Sequence, residues 1–116
     1  MATAKLSLMT LSCVKKQDTI GKDEVLVYVG GNLHGGPFKI GKNGDDVFVG
    51  GGVVEFDDKI LITLKEKDDG DDDTLGSWYA YASETDGIRR ALFHALPGAD
   101  YHLLYDVDDV DDVDAA

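Results

Sequence analysis

Residues 59–82 read KILITLKEKDDGDDDTLGSWYAYA, two strand-like runs that enclose a dense group of carboxylates. The runs 59–66 and 77–82 both alternate apolar with polar or small residues, which predicts two β-strands. Between them, six of the eight residues 66–73 are acidic. Asp is a poor strand and helix former because its short side chain competes for nearby backbone hydrogen bonds. This segment is therefore predicted to be an acidic loop that joins two strands.

The rest of the chain continues this pattern of short strands separated by turns. Further strands are predicted at 5–14, 24–29, 37–40, 47–49, 53–56 and 101–107, with Ile60, Ile62 and Leu64 of the strand 59–66 facing inward. Residues 88–96 keep helical spacing in part, but the turn signals at 97–100 favour a strand here too. Many short strands with frequent turns predict an all-β chain, an antiparallel β-sandwich of about seven to nine strands.

The first predicted strand, 5–14, is apolar on both faces. Alternation places Leu6 and Leu8 on one face and Leu11 and Cys13 on the other. Either both faces are buried along part of this strand, or a β-bulge reverses the alternation.

The distribution of charge divides the chain into two parts. The protein has 116 residues, a formal net charge of −12 and 23 acidic residues against 11 basic ones. Residues 1–107 are expected to form a single β-sandwich domain, and residues 108–116, which repeat Asp-Val-Asp, are expected to form an acidic, flexible tail. No run of basic residues is present to neutralise phosphates, so nucleic acid is excluded as a partner.

The sequence gives no signal for catalysis, export or membrane insertion. Cys13 is the only cysteine, which excludes an internal disulfide and a zinc site built from several cysteines. Because no nucleophile elbow or catalytic triad is recognisable, the protein is expected not to be an enzyme. No signal peptide or membrane-spanning run is visible, so a cytoplasmic location is expected, with leaderless export as an open alternative.

The acidic loops predict a cation site. Loop 18–24 and loop 66–73 each flank one of the two best predicted strands, and in an antiparallel sandwich such loops can gather at one end. Ca²⁺ takes six to eight oxygen ligands and would relieve the repulsion among these carboxylates. The sequence therefore predicts calcium held between the two loops.

Two motifs in these loops resemble the calcium loops of the C2 domain, the calcium-dependent phospholipid-binding β-sandwich. The first is Asp18…Asp23-Glu24-Val25-Leu26-Val27, and the second is Glu66-x-Asp68…Asp73-x-x-Gly76. The resemblance implies a C2-like sandwich in which the calcium ligands are Asp18, Asp23, Glu66, Asp68 and Asp73. Further candidate ligands in the same loops are Glu24, Asp69, Asp71 and Asp72.

Together these observations predict a calcium-binding, non-enzymatic interaction module whose partner is another protein or a second copy of itself. Membrane docking is less favoured, because the loop tips offer few apolar or basic residues. Two alternatives stay open: a metal-independent structural or assembly protein, and a carbohydrate-binding module that uses Trp78 and Tyr81.

Overall fold

A computed structural model describes residues 3–15, 23–67, 72–95 and 98–110, and these ranges contain nine β-strands and no α-helix. The strands are β1 (Ala4–Lys15), β2 (Asp23–Val29), β3 (Asn32–Ile40), β4 (Asp46–Phe48), β5 (Val53–Phe56), β6 (Lys59–Glu66), β7 (Asp73–Tyr81), β8 (Arg89–Phe93) and β9 (Asp100–Asp109). The prediction of an all-β chain is confirmed, and the ambiguous segment 88–96 contains a strand.

The nine strands form two antiparallel sheets. The first sheet has the order β4-β1-β9-β8, with β5 also paired to β1, and the second has the order β3-β2-β6-β7. The two inner faces enclose one hydrophobic core, as in a β-sandwich. Fully buried core residues include Leu6, Leu11, Leu103 and Tyr105 of the first sheet and Val25, Val27, Ile62 and Leu64 of the second.

A bulge in β1 settles the question raised by its apolar sequence. Leu8 pairs with Tyr105 and Leu11 pairs with Leu103, so three steps along β1 match two steps along β9. The extra residue reverses the alternation, and Leu11 and Cys13 are buried in the same core as Leu8. The simple assignment of Leu11 and Cys13 to the opposite face was therefore wrong, and the bulge explains the pattern.

Three strands, β3, β7 and β9, differ most in length from the prediction, and each is longer than the sequence indicated. β3 begins at Asn32 within the glycine-rich segment, and β7 begins at Asp73, directly after the acidic loop. β9 continues through Asp109, and Asp108 still pairs with Lys5 of β1. Residues 111–116 lie outside the described part of the chain, so the flexibility of the tail stays a prediction.

The two ends of the sandwich differ in what they contain. At one end, which we call the acidic-loop end, β1 and β6 finish while β2, β7 and β9 begin. At the other end, which we call the tail end, β9 finishes beside Thr3 and the turn at 57–58. No helix in the described ranges is long and apolar enough to cross a membrane.

Candidate functional site

Acidic side chains of three strand ends share one face at the acidic-loop end. Val25 of β2 pairs with Glu66 of β6, which in turn pairs with Asp73 of β7. Directly paired residues point to the same face of a sheet, and so do residues two apart on one strand. Asp23, Glu66 and Asp73 therefore all point to the inner face, where Asp23 is 0% exposed and Glu66 is 5% exposed.

Asp23 is held by a residue from the opposite sheet. The hydroxyl group of Tyr101, at the start of β9, donates a short hydrogen bond to Oδ2 of Asp23. Burial, followed by the hydrogen bond to Asp23, raises the pKa of Tyr101 far above its usual value. Tyr101 thus stays protonated and remains a donor, and the bond ties the two sheets together at this end.

Glu66 is positioned by the backbone of the neighbouring strand. Its Oε1 atom lies 3.5 Å from the backbone nitrogen of Glu24, and the N–H group of Lys67 donates to the carbonyl oxygen of Glu24 at 2.8 Å. Glu24 itself pairs with Lys39, and its side chain lies on the outer face of the sheet. The structure therefore separates Glu24 from Asp23, Glu66 and Asp73.

The described residues do not by themselves complete a metal site. In the ranges 3–15, 23–67, 72–95 and 98–110, no group of three or more His, Cys, Asp or Glu residues could hold a metal ion. Four of the predicted ligands lie outside these ranges: Asp18, Asp68, Asp69 and Asp71. Asp72 is described and half-buried just before β7. Because Ca²⁺ needs six to eight oxygen ligands, a calcium site here would depend on the loops outside the described part.

A second polar network, which the sequence did not reveal, connects the sheets near the tail end. Trp78 Nε1 donates to the hydroxyl oxygen of Tyr105 at 3.2 Å, and that hydroxyl donates to Glu84 at 3.1 Å. Glu84 also pairs with Arg89 at 2.9 Å. The network joins β7 of the second sheet to β8 and β9 of the first through the segment 82–88.

The predicted carbohydrate platform of Trp78 and Tyr81 is not formed. Trp78 pairs with Ile62 and packs against the core, whereas Tyr81 pairs with Lys59 on the outer face. Because the two aromatic residues are three positions apart on one strand, they point to opposite faces. A single sugar could not stack on both.

The outer face of the second sheet carries lysines over tyrosine rings. Nζ of Lys59 lies 4.7 Å from the ring centroid of Tyr79, and Nζ of Lys65 lies 5.1 Å from that of Tyr28. The centroids of Tyr79 and Tyr81 are 6.4 Å apart. We call these five residues the lysine–tyrosine face. They are far apart in sequence, but the alternation of β6 and β7 could have shown that Lys59, Lys65, Tyr79 and Tyr81 share a face.

Comparison with solved structures gives the class of fold. A structure described as a C2 domain matches with a TM-score of 0.55 and 16% identity over 93% of this chain and 99% of that one. A structure of the A and B C2 domains of Extended-Synaptotagmin 2 matches with a TM-score of 0.53 and 15% identity, over 93% of this chain and 40% of that one. No family profile and no curated protein matches the sequence. The chain has a C2-like β-sandwich fold, as the two acidic-loop motifs predicted.

Proposed function

We propose that this protein is a non-enzymatic interaction module that binds calcium between the acidic loops 18–24 and 66–73. The C2-like fold supports an interaction module in general terms. One observation carries the calcium proposal: Asp23, Glu66 and Asp73 share the inner face at the ends of neighbouring strands, next to both acidic loops.

The chemistry of this end favours a hard cation. Glu66 and Asp73 occupy directly paired positions, where like charges are destabilising by default. Carboxylate oxygens are the ligands that Ca²⁺ prefers, and a divalent cation would turn this mutual repulsion into attraction. In the proposed site Asp18 and Asp68 supply the ligands that complete the set from the two loops. Tyr101 keeps the carboxylate of Asp23 oriented, since its hydroxyl group donates to only one of the two oxygens in the described hydrogen bond.

Thermal unfolding in chelator, in millimolar calcium and in millimolar magnesium tests this proposal. Calcium at one hundred times its dissociation constant should add about 2.7 kcal/mol to the free energy of unfolding. The variants Asp68→Asn and Asp73→Asn should lose this gain. Asp46→Asn, at an exposed position of β4, is the matched control and should keep it. The site would be refuted if calcium did not raise the unfolding temperature, or if the rise with calcium were unchanged in both Asp68→Asn and Asp73→Asn.

A metal-independent assembly protein is the second candidate, because large apolar side chains are exposed on the first sheet. Phe48 of β4 is 69% exposed and Val53 of β5 is 58% exposed, and both strands pair with β1. Exposed apolar groups beside short strands favour contact with another chain. An oligomeric mass in light scattering that is the same in chelator and in calcium supports this candidate, whereas a monomer in both conditions opposes it.

A further inference from the structure

The lysine–tyrosine face presents positive charge that the rest of the described chain does not neutralise. Neither Lys59 nor Lys65 has a carboxylate of the described ranges within ion-pair distance. Tyr79 and Tyr81 beside them are each 44% exposed. In a protein with a net charge of −12, two such lysines over aromatic rings form a surface suited to an acidic, partly apolar segment.

The acidic tail leaves the sandwich at the same end as Lys59. The N–H group of Val110 donates to the carbonyl oxygen of Thr3 at 3.1 Å, and the N–H group of Thr3 donates to that of Phe56 at 3.0 Å. The hydroxyl group of Thr3 also donates to Asp57 at 3.0 Å. Two residues after Asp57, β6 begins with Lys59. A short path of neighbouring residues thus connects the start of the tail to the lysine–tyrosine face.

The tail is long enough to reach Lys59 but not Lys65. Adjacent strands lie about 5 Å apart, so Phe56 lies about 10 Å from Val110. The turn from Phe56 to Lys59 adds at most about 10 Å, and residues 111–116 can span about 20 Å when extended. Lys65 lies six residues further along β6, which adds about 20 Å. Only the part of the face around Lys59 is within reach.

Several other charged groups at the tail end already have partners. Asp57 accepts hydrogen bonds from Thr3 and from the N–H group of Asp58, and Glu84 pairs with Arg89. Arg89 also binds Asp86 in a bidentate pair. Among the described bases at this end, Lys5 and Lys59 have no ion pair. Lys5 lies between Glu55 and Asp108 at directly paired positions, whereas Lys59 is paired with Tyr81.

We propose that the lysine–tyrosine face binds an extended acidic segment and that its occupant is the tail of the same chain, Asp111 to Asp114. The carboxylate of Asp114, four residues beyond Val110 and so up to about 14 Å from it in an extended chain, pairs with the ammonium group of Lys59. Val113 then packs against the exposed ring of Tyr79 or Tyr81. The bound tail competes with any other anionic partner for this part of the face.

Paramagnetic relaxation in the full-length chain tests the proposal. A nitroxide spin label is attached at Ala115→Cys in a Cys13→Ala background, and the amide signals are recorded with the label oxidised and reduced. At low salt, the signals of Lys59, Tyr79 and Tyr81 should broaden. The broadening should disappear at about 0.5 M NaCl, where the screening length is only a few ångströms. Lys59→Gln should abolish it, and the matched variant Lys65→Gln should leave it unchanged.

Several results would overturn the proposal. The first is the absence of broadening at low salt, and the second is broadening that Lys59→Gln does not change. The third comes from a mixture of two samples, one with the nitroxide but no ¹⁵N and one with ¹⁵N but no nitroxide, and is broadening of the ¹⁵N signals in that mixture. The last result would assign the face to the tail of a second copy. If the Cys13→Ala background does not fold, the wild-type chain and a chain that ends at Val110 are compared directly. Their amide shifts should then differ at Lys59 and Tyr79, and equal shifts would exclude the contact.

Discussion

The substitution Tyr101→Phe tests how the two sheets are joined at the acidic-loop end. Tyr101 is fully buried, and its hydroxyl group donates to the fully buried carboxylate of Asp23 across the core. Phenylalanine keeps the ring and its packing, so the change removes the donor without opening a large cavity. What is lost is a hydrogen bond to a charged group that has little access to water.

The expected cost follows from the charge and burial of the acceptor. A hydrogen bond to a charged group contributes about 1.5–3 kcal/mol, and a buried carboxylate left with fewer donors is destabilised by a similar amount. We therefore expect the free energy of unfolding to fall by about 2 kcal/mol. For a domain of 116 residues this corresponds to a decrease in Tm of about 8 °C. Urea denaturation at neutral pH, followed by circular dichroism, measures the free energy directly.

Two further variants make this test specific. Tyr79→Phe removes a hydroxyl group from a 44% exposed tyrosine, and its free energy of unfolding should change by less than about 0.5 kcal/mol. A double-mutant cycle of Tyr101→Phe with Asp23→Asn should show that the two residues are coupled, because the loss in the double variant is smaller than the sum of the single losses. A stability of Tyr101→Phe equal to that of the wild type, or additive losses in the cycle, would refute the interaction.

Two more predictions concern pH and packing. Because the pKa of Tyr101 is raised in the folded state, the unfolded chain ionises this group first, above about pH 10. Above that pH, the free energy of unfolding should therefore fall by about 1.4 kcal/mol for each further pH unit. The Tyr101→Phe variant should show a correspondingly weaker fall in urea titrations between pH 9 and 11. Gly76→Ala should destabilise the fold by about 2 kcal/mol, because its Cβ atom would lie 2.9 Å from the Cα atom of Phe93. Gly87, which also has a positive φ, is the matched control, because a Cβ atom added there would have no heavy atom within 4 Å. If Gly87→Ala destabilised the fold as much as Gly76→Ala, the clash with Phe93 would not be the cause.

The strands were predictable from the sequence because alternation is a local property. The period of two in 59–66 gave the inward positions Ile62 and Leu64, both fully buried. Local alternation failed where the backbone departs from regular geometry. In β1 the bulge between Leu8 and Leu11 reverses the faces, and no residue of that run marks its position.

The contacts that define the candidate site could not be predicted from the sequence, because they join distant parts of the chain. Asp23 was predicted as a calcium ligand from the motif resemblance, but its hydrogen bond to Tyr101 depends on how the two sheets are stacked. The lysine–tyrosine face could be predicted only in part, because alternation gives the face of each residue but not the pairing of the strands. Lys59 and Tyr79 are twenty positions apart, and only the pairing of β6 with β7 brings them together.

The central pairing of β1 with β9 has a consequence for synthesis on the ribosome. β1 is made first and β9 last of the nine strands, so β1 cannot obtain its main partner until nearly all of the domain has emerged. At about 5–20 residues per second, that wait lasts on the order of 5–20 s. A purified chain, in which both strands are present from the start, should refold within milliseconds to seconds, as other sandwiches do. We therefore expect that, in the cell, the rate of translation sets how long the apolar side chains of β1 stay exposed without β9.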